Sequence, residues 1–168
     1  MRVRSLALVV LLLVMAFVVC AFAADDDAEP APNFHAKTLS GETFNNSSIK
    51  GKVTLLEFWT TWCPYCRNEE PLVEHINQEF AGKGLVVLAI DVNESKKTVK
   101  KYLDQHPRSC PIVLTEDTNL AAMYAATSYP IYVVIDRDGN IAATQRGAAG
   151  ERALRSLLRR GGFDPDSP

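Results

Sequence analysis

What this 168-residue chain lacks narrows it before any motif is read. It has no excess of positive charge: 18 lysines and arginines face 20 aspartates and glutamates, a net charge of −2, so the basic footprint of a nucleic-acid binder is missing. Its three histidines, His35, His75 and His106, form no closely spaced pair, and there is no second Cys-x-x-Cys, so neither of those sources of two further zinc ligands is present. No stretch reads Pro-x-x-x-Thr-x-x-Cys, the loop a peroxidatic cysteine needs. No internal repeat is present, and 47% hydrophobic with 23% charged residues is the balance of one ordinary globular domain.

Polar residues are also absent from Leu6 to Ala24, a run preceded by Arg2 and Arg4 and followed by Asp25-Asp26-Asp27. That order predicts an export signal over residues 1–23, cut before Ala24 after the small-x-small stretch Ala21-Phe22-Ala23. The run is also long enough to remain as an uncleaved N-terminal anchor. Either way the domain lies outside the cytoplasm. A lipid-bearing Cys20 is disfavoured by bulky Val19. Loss of Cys20 with the leader leaves Cys63, Cys66 and Cys110, an odd number that argues against a purely structural disulfide framework.

Residues 24–32, acidic and proline-rich, read as a linker; the domain is expected over 33–163 and a flexible tail over 164–168. Phe34 to Phe44, around a Ser40-Gly41 turn, predicts a small hairpin. Val53–Trp59 and Leu85–Val92 have the apolar density of central strands. Between them Leu72, Val73, Ile76 and Phe80 form a helical stripe that Gly82 and Gly84 end, and a further helix runs from an N-cap at Ser95 to His106, with Lys96, Lys97, Lys100 and Lys101 on a solvated face. A short strand at Ile112–Leu114, a helix from Thr118 to Tyr124, a hairpin of Ile131–Asp136 and Ile141–Arg146, and a helix over Glu151–Arg160 complete the chain. The product is an α/β fold: a central mixed β-sheet flanked by helices, with an N-terminal β-hairpin extension.

In such a sheet, sites form where strand ends meet helix starts, and Cys63 lies at that junction. Unpaired N–H groups and the helix dipole there favour a thiolate. Pro64 suits the first helical turn, and Cys66, three residues on, lies on the same face one turn deeper. An exposed Cys63 that attacks and a shielded Cys66 that resolves are the asymmetry that thiol exchange requires.

The run Phe58-Trp59-Thr60-Thr61-Trp62-Cys63-Pro64-Tyr65-Cys66, with Pro71 five residues later, resembles the active site of the thioredoxin superfamily. The leader, the hairpin, Glu69 and the segment from Tyr129-Pro130 to Gly139 make it similar to the TlpA/ResA branch of exported thiol-disulfide oxidoreductases. The resemblance implies a redox-active Cys63–Cys66 disulfide, with Cys63 as nucleophile and Cys66 resolving. It implies a cis-proline loop at Pro130 that offers Tyr129 backbone groups to an extended substrate, beside Trp62, Pro64 and Tyr65. Glu57 falls at the buried acid that passes a proton to or from Cys66, and Glu69 at an acidic position that tunes the pair. The implied partners are protein disulfides and a membrane thiol-disulfide electron donor. The chain would be a monomer with neither cofactor nor metal, a reductant in cytochrome c maturation or copper-centre assembly.

Pro64-Tyr65 departs from the branch's usual Glu-Pro and resembles the glutaredoxin dipeptide, Tyr129 is larger than usual, and Cys110 has no counterpart. The same cysteines would serve an oxidase or isomerase running in reverse, or a copper-binding metallochaperone. Residue by residue, plainer readings stand beside these. Glu57 alternates with Leu56 and Phe58 and would then face outward; Glu69 would be a first-turn acid favoured by the helix dipole. Pro71 kinks the helix, Trp59 is core, Trp62 is half-exposed beside the site, and Cys110 is either a small, partly buried hydrophobe or a thiol for a further bridge.

Overall fold

The computed structural model describes residues 28–165, so the leader, its cleavage site and Cys20 lie outside the described residues. The chain runs β1 (His35–Thr38), β2 (Thr43–Asn45), α1 (Asn46–Ile49), β3 (Val53–Trp59), α2 (Pro64–Phe80), β4 (Leu85–Asp91), α3 (Lys96–Leu103), β5 (Ile112–Thr118), α4 (Leu120–Met123), β6 (Ile131–Ile135), β7 (Ile141–Arg146) and α5 (Gly150–Arg160). One seven-stranded sheet has the order β2-β1-β5-β4-β3-β6-β7. Its centre is parallel, β3 with β4 and β4 with β5; β6 and β7 add antiparallel strands at one edge and the β1–β2 hairpin at the other.

All seven residues of β3 are buried, because both faces of the sheet are covered. Leu55 and Trp59 join one core with Cys63, Cys66, Val73, Ile76 and Phe80, whereas Leu56 and Phe58 join the opposite core with Phe34, Phe44 and Ile90. The stripe on α2 therefore packs on the sheet face that carries the cysteines. Pro71 is accommodated inside α2, which continues unbroken to Phe80.

Several element boundaries differ from the sequence expectation, and the one-turn helix α1 has no counterpart in it. β5 continues past Leu114 to Thr118, and the helix after it shrinks to one turn, because β1 pairs along this stretch, Ala36 with Thr118 and Thr38 with Val113. α3 ends at Leu103 rather than His106. The segment before Asn33 is tied down: Ala31 donates to the Gly139 carbonyl at 2.9 Å and Ile141 to the Glu29 carbonyl at 2.8 Å. At the other end Phe163 and Pro165 are buried.

Candidate active site

β3 ends at Trp59, and Thr60 to Trp62 carry the chain into α2. Cys63 is the N-cap, in extended conformation, and its Sγ accepts the Cys66 backbone N–H at 3.1 Å. Pro64 follows in the first helical turn, where its missing N–H leaves nothing unpaired. Cys63 and Cys66 are joined as a disulfide across 5.3 Å between Cα atoms. Both are almost closed off, at 3% and 2% exposure. The expectation of an exposed Cys63 is thus not met in the disulfide form, since its sulfur turns inward over the first helical turn to bond Cys66.

The rim is exposed instead. Trp62 and Tyr65 are 61% and 62% accessible, and the Trp62 ring meets Tyr129 edge-on at 5.9 Å. The Tyr129–Pro130 peptide is cis. Register places it: Phe58 pairs with Ile131, so Pro130 lies level with Trp59 at the strand end that feeds the cysteines. Trp59 itself is buried at 1%.

Glu94 holds the entry loop, accepting the Thr61 N–H at 2.5 Å and its hydroxyl at 2.7 Å. Beneath it, Asp91 at the end of β4 has no exposure, and burial together with the neighbouring Glu94 pushes its carboxyl up to about 8. The sequence reading singled out neither acid.

Glu57 points into the cysteine-bearing core, not outward. It is not a free acid, however. Arg108, from the loop between α3 and β5, donates to it at 2.5 Å, and both side chains are 1% exposed. The guanidinium also lies over the Trp59 ring at 5.2 Å. Burial raises the Glu57 carboxyl above its ordinary value, and Arg108 opposes that rise. Arg108 was invisible to sequence reasoning, because 51 residues separate the partners and no spacing rule joins a strand to a distant loop.

Glu69 is not a first-turn acid; the first turn of α2 contains none. Its buried carboxylate accepts the Tyr132 hydroxyl at 2.9 Å and the N–H groups of Ala149, at 2.8 Å, and of Gly150. α5 has no capping side chain of its own, so Glu69 caps it from another helix. Its negative charge is also one of the lesser causes that raise the Glu57 carboxyl, after burial and Glu70. Glu69→Ala is expected to lower the unfolding free energy by about 2–4 kcal/mol, since it leaves buried donors unpaired. Glu69→Gln, which keeps one acceptor, should lose roughly half of that, read from urea unfolding at neutral pH.

Cys110 is buried at 3%, and burial pushes its thiol up to about 12, which fits the reading as a small hydrophobe. Among the described residues no group of three or more His, Cys, Asp or Glu is placed to hold a metal ion, and no helix is long and apolar enough to cross a membrane.

The AhpC/TSA family model matches residues 28–144. The chain is 30% identical over 130 residues to thiol-disulfide oxidoreductase ResA of Halalkalibacterium halodurans, covering 77% of this chain and 74% of that one. It is 34% identical over 135 residues to the thioredoxin-like protein YneN of Bacillus subtilis, covering 79% and 78%. A thiol:disulfide interchange protein of the thioredoxin family from Chlorobium tepidum superposes with a TM-score of 0.71 at 29% identity, over 82% of this chain and 99% of that one. A buried Cys63–Cys66 disulfide at a helix start, a cis-proline level with the end of the strand that feeds it and these likenesses agree: the chain belongs to the AhpC/TSA family, as a thioredoxin-fold thiol-disulfide oxidoreductase of the ResA-like branch.

Proposed function

We propose that the protein works outside the cytoplasm as a monomeric reductant of protein disulfides, serving cytochrome c maturation or the assembly of copper centres. A thiol-disulfide donor in the membrane would recharge it. The observation that carries this reading is the Cys63–Cys66 pair set at an N-cap beneath an exposed rim of Trp62, Pro64 and Tyr65, with the Tyr129–Pro130 loop alongside. A buried pair with an open rim suits a polypeptide that brings its own disulfide to the sulfur.

In the reducing direction the Cys63 thiolate attacks one sulfur of the substrate disulfide. That bond breaks, one substrate thiolate leaves, and a mixed disulfide forms at Cys63. The helix N–H that Cys63 Sγ accepts from Cys66 is already directed at the sulfur that carries the charge. Cys66 then attacks Cys63 Sγ, releases the second substrate thiolate and restores the internal disulfide. Two electrons pass to the substrate, and the proton lost by Cys66 leaves on a substrate thiol. A dithiol donor returns two electrons and two protons while becoming a disulfide itself.

Trapping tests the reading. Cys66→Ala expressed in the native cell should leave substrates linked to Cys63 by dithiothreitol-sensitive bonds, and mass spectrometry identifies them. Apocytochrome or copper-site proteins support the proposal. Unselected secreted proteins would replace it with general disulfide housekeeping.

A further inference from the structure

Outside the cysteines and the rim, the described residues hold a closed ion pair between Glu57 and Arg108, both side chains 1% exposed. Taking two charges out of water is costly, and an apolar pair of similar volume is often at least as stable. This pair is not saturated either. Glu57 Oε1 and Arg108 Nε and Nη1 find no partner among the described residues. Its location is specific. β3 alternation sets Glu57 on the sheet face of Leu55 and Trp59, which packs with Cys63, Cys66 and Cys110. The groups that act on Glu57 electrostatically from the surrounding elements are Arg108 and Cys110 from the loop before β5, Glu69 and Glu70 from α2, and Tyr132 from β6. Arg108 is the only cation among these named groups.

We propose that Arg108 is a positioning residue for the exchange reaction, clamping Glu57 as a carboxylate so that this acid takes no part in the proton traffic of Cys66. The inference rests on the exchange chemistry proposed above. A guanidinium keeps its proton at any working pH. Burial, the larger effect, favours the protonated form of Glu57 even beside Arg108, but protonating it would leave that cation buried without a counter-charge at 2.5 Å; in the proposed clamp this counter-charge wins and keeps Glu57 ionised whether the cysteines are oxidised or reduced. An acid that carries the same proton count in both redox states contributes nothing to the pH dependence of the couple. The proton released by Cys66 then travels with one departing substrate thiol, the other substrate thiolate takes its proton from solvent, and no third group of the protein joins in. Without Arg108, the like charges of Glu69 and Glu70 together with burial favour the protonated form of Glu57. Its proton affinity would then depend on whether a thiolate stands nearby.

The test is the midpoint potential of the Cys63/Cys66 couple across pH 5 to 10 in glutathione buffers, for the full mature domain and its Arg108→Met and Glu57→Gln/Arg108→Met variants. The wild type and the double variant should give profiles of the same shape, bending only where the cysteine thiols titrate. Arg108→Met should acquire an additional bend, with the equilibrium against glutathione displaced about tenfold on one side of it, the effect of one unit of coupled pKa. A bend present in the wild type and absent from the double variant overturns the clamp, because it shows Glu57 exchanging a proton with Arg108 in place. An Arg108→Met profile that superimposes on the wild type overturns it as well. Should Arg108→Met fail to fold, comparison of the wild type with the double variant still decides. Insulin reduction, followed in parallel, separates the two proposals: no reduction by any form defeats the reductant reading, while the potential profile continues to report on the clamp.

Discussion

Cys63→Ser is expected to lose disulfide reductase activity by at least about 1,000-fold, because a serine hydroxyl neither ionises near neutral pH nor forms a bond that exchange can reverse. Cys66→Ala should behave differently. It keeps the attacking sulfur and completes one half-reaction, so a stoichiometric burst of substrate thiol should be followed by a halt at the mixed disulfide. The insulin–dithiothreitol assay reads the first loss, and rapid-quench titration of released thiol reads the second. The geometry supports unequal outcomes. Cys63 is the N-cap that accepts a helix N–H, whereas Cys66 supplies that N–H from within the first turn. Cys110→Ala is the control. Its sulfur is buried, with the thiol pushed up to about 12, so almost no thiolate exists at neutral pH and the rate should stay within about twofold of the wild type. Equal losses in Cys63→Ser and Cys66→Ala from the first turnover onward would contradict this division of labour.

How much of this was legible in the sequence depended on how local each signal was. β3 runs from Val53 to Trp59 as apolar density predicts, and Ser95 caps α3 through its own side chain, because strand burial and capping are written within a few residues. The end of β5 was not legible. Thr115 to Thr118 carry no strong strand pattern and are held extended by β1, nearly eighty residues earlier in the chain. The orientation of Glu57 was ambiguous for a related reason. Alternation tells two faces apart but cannot name the wet one when both are covered, and in this sheet neither face is wet. Glu69 matched a family position, yet its bonds to Ala149 and Gly150 depend on where α5 begins in space. Cys63, Cys66, Pro64 and Pro130 were readable because each imposes a chemical or backbone constraint that few other residues meet.

The Glu57–Arg108 pair should also show itself in stability, with an asymmetry that geometry and acid–base chemistry together dictate. Glu57→Met leaves the guanidinium enclosed and unable to neutralise itself, and should cost about 3–5 kcal/mol of unfolding free energy at pH 7. Arg108→Met leaves a carboxyl that can escape by taking a proton, so its cost should be smaller, and the sign of its pH dependence follows. Burial raises the folded-state pKa of Glu57 and Arg108 opposes that rise; with the guanidinium gone nothing limits it, so stability is greatest below the unfolded value and declines as pH rises through the folded one. The double replacement removes both charges and fills the same space with apolar atoms, and should lie within about 2 kcal/mol of the wild type, on either side. Urea unfolding of the four oxidised proteins at pH 6 and pH 8 measures all of this at once. Additive losses, with the double variant as unstable as the sum of the singles, would mean that the two side chains act independently despite their 2.5 Å contact. A large coupling free energy would instead show why the pair persists beneath the cysteines: once one charge is enclosed there, the other is needed to keep the domain folded.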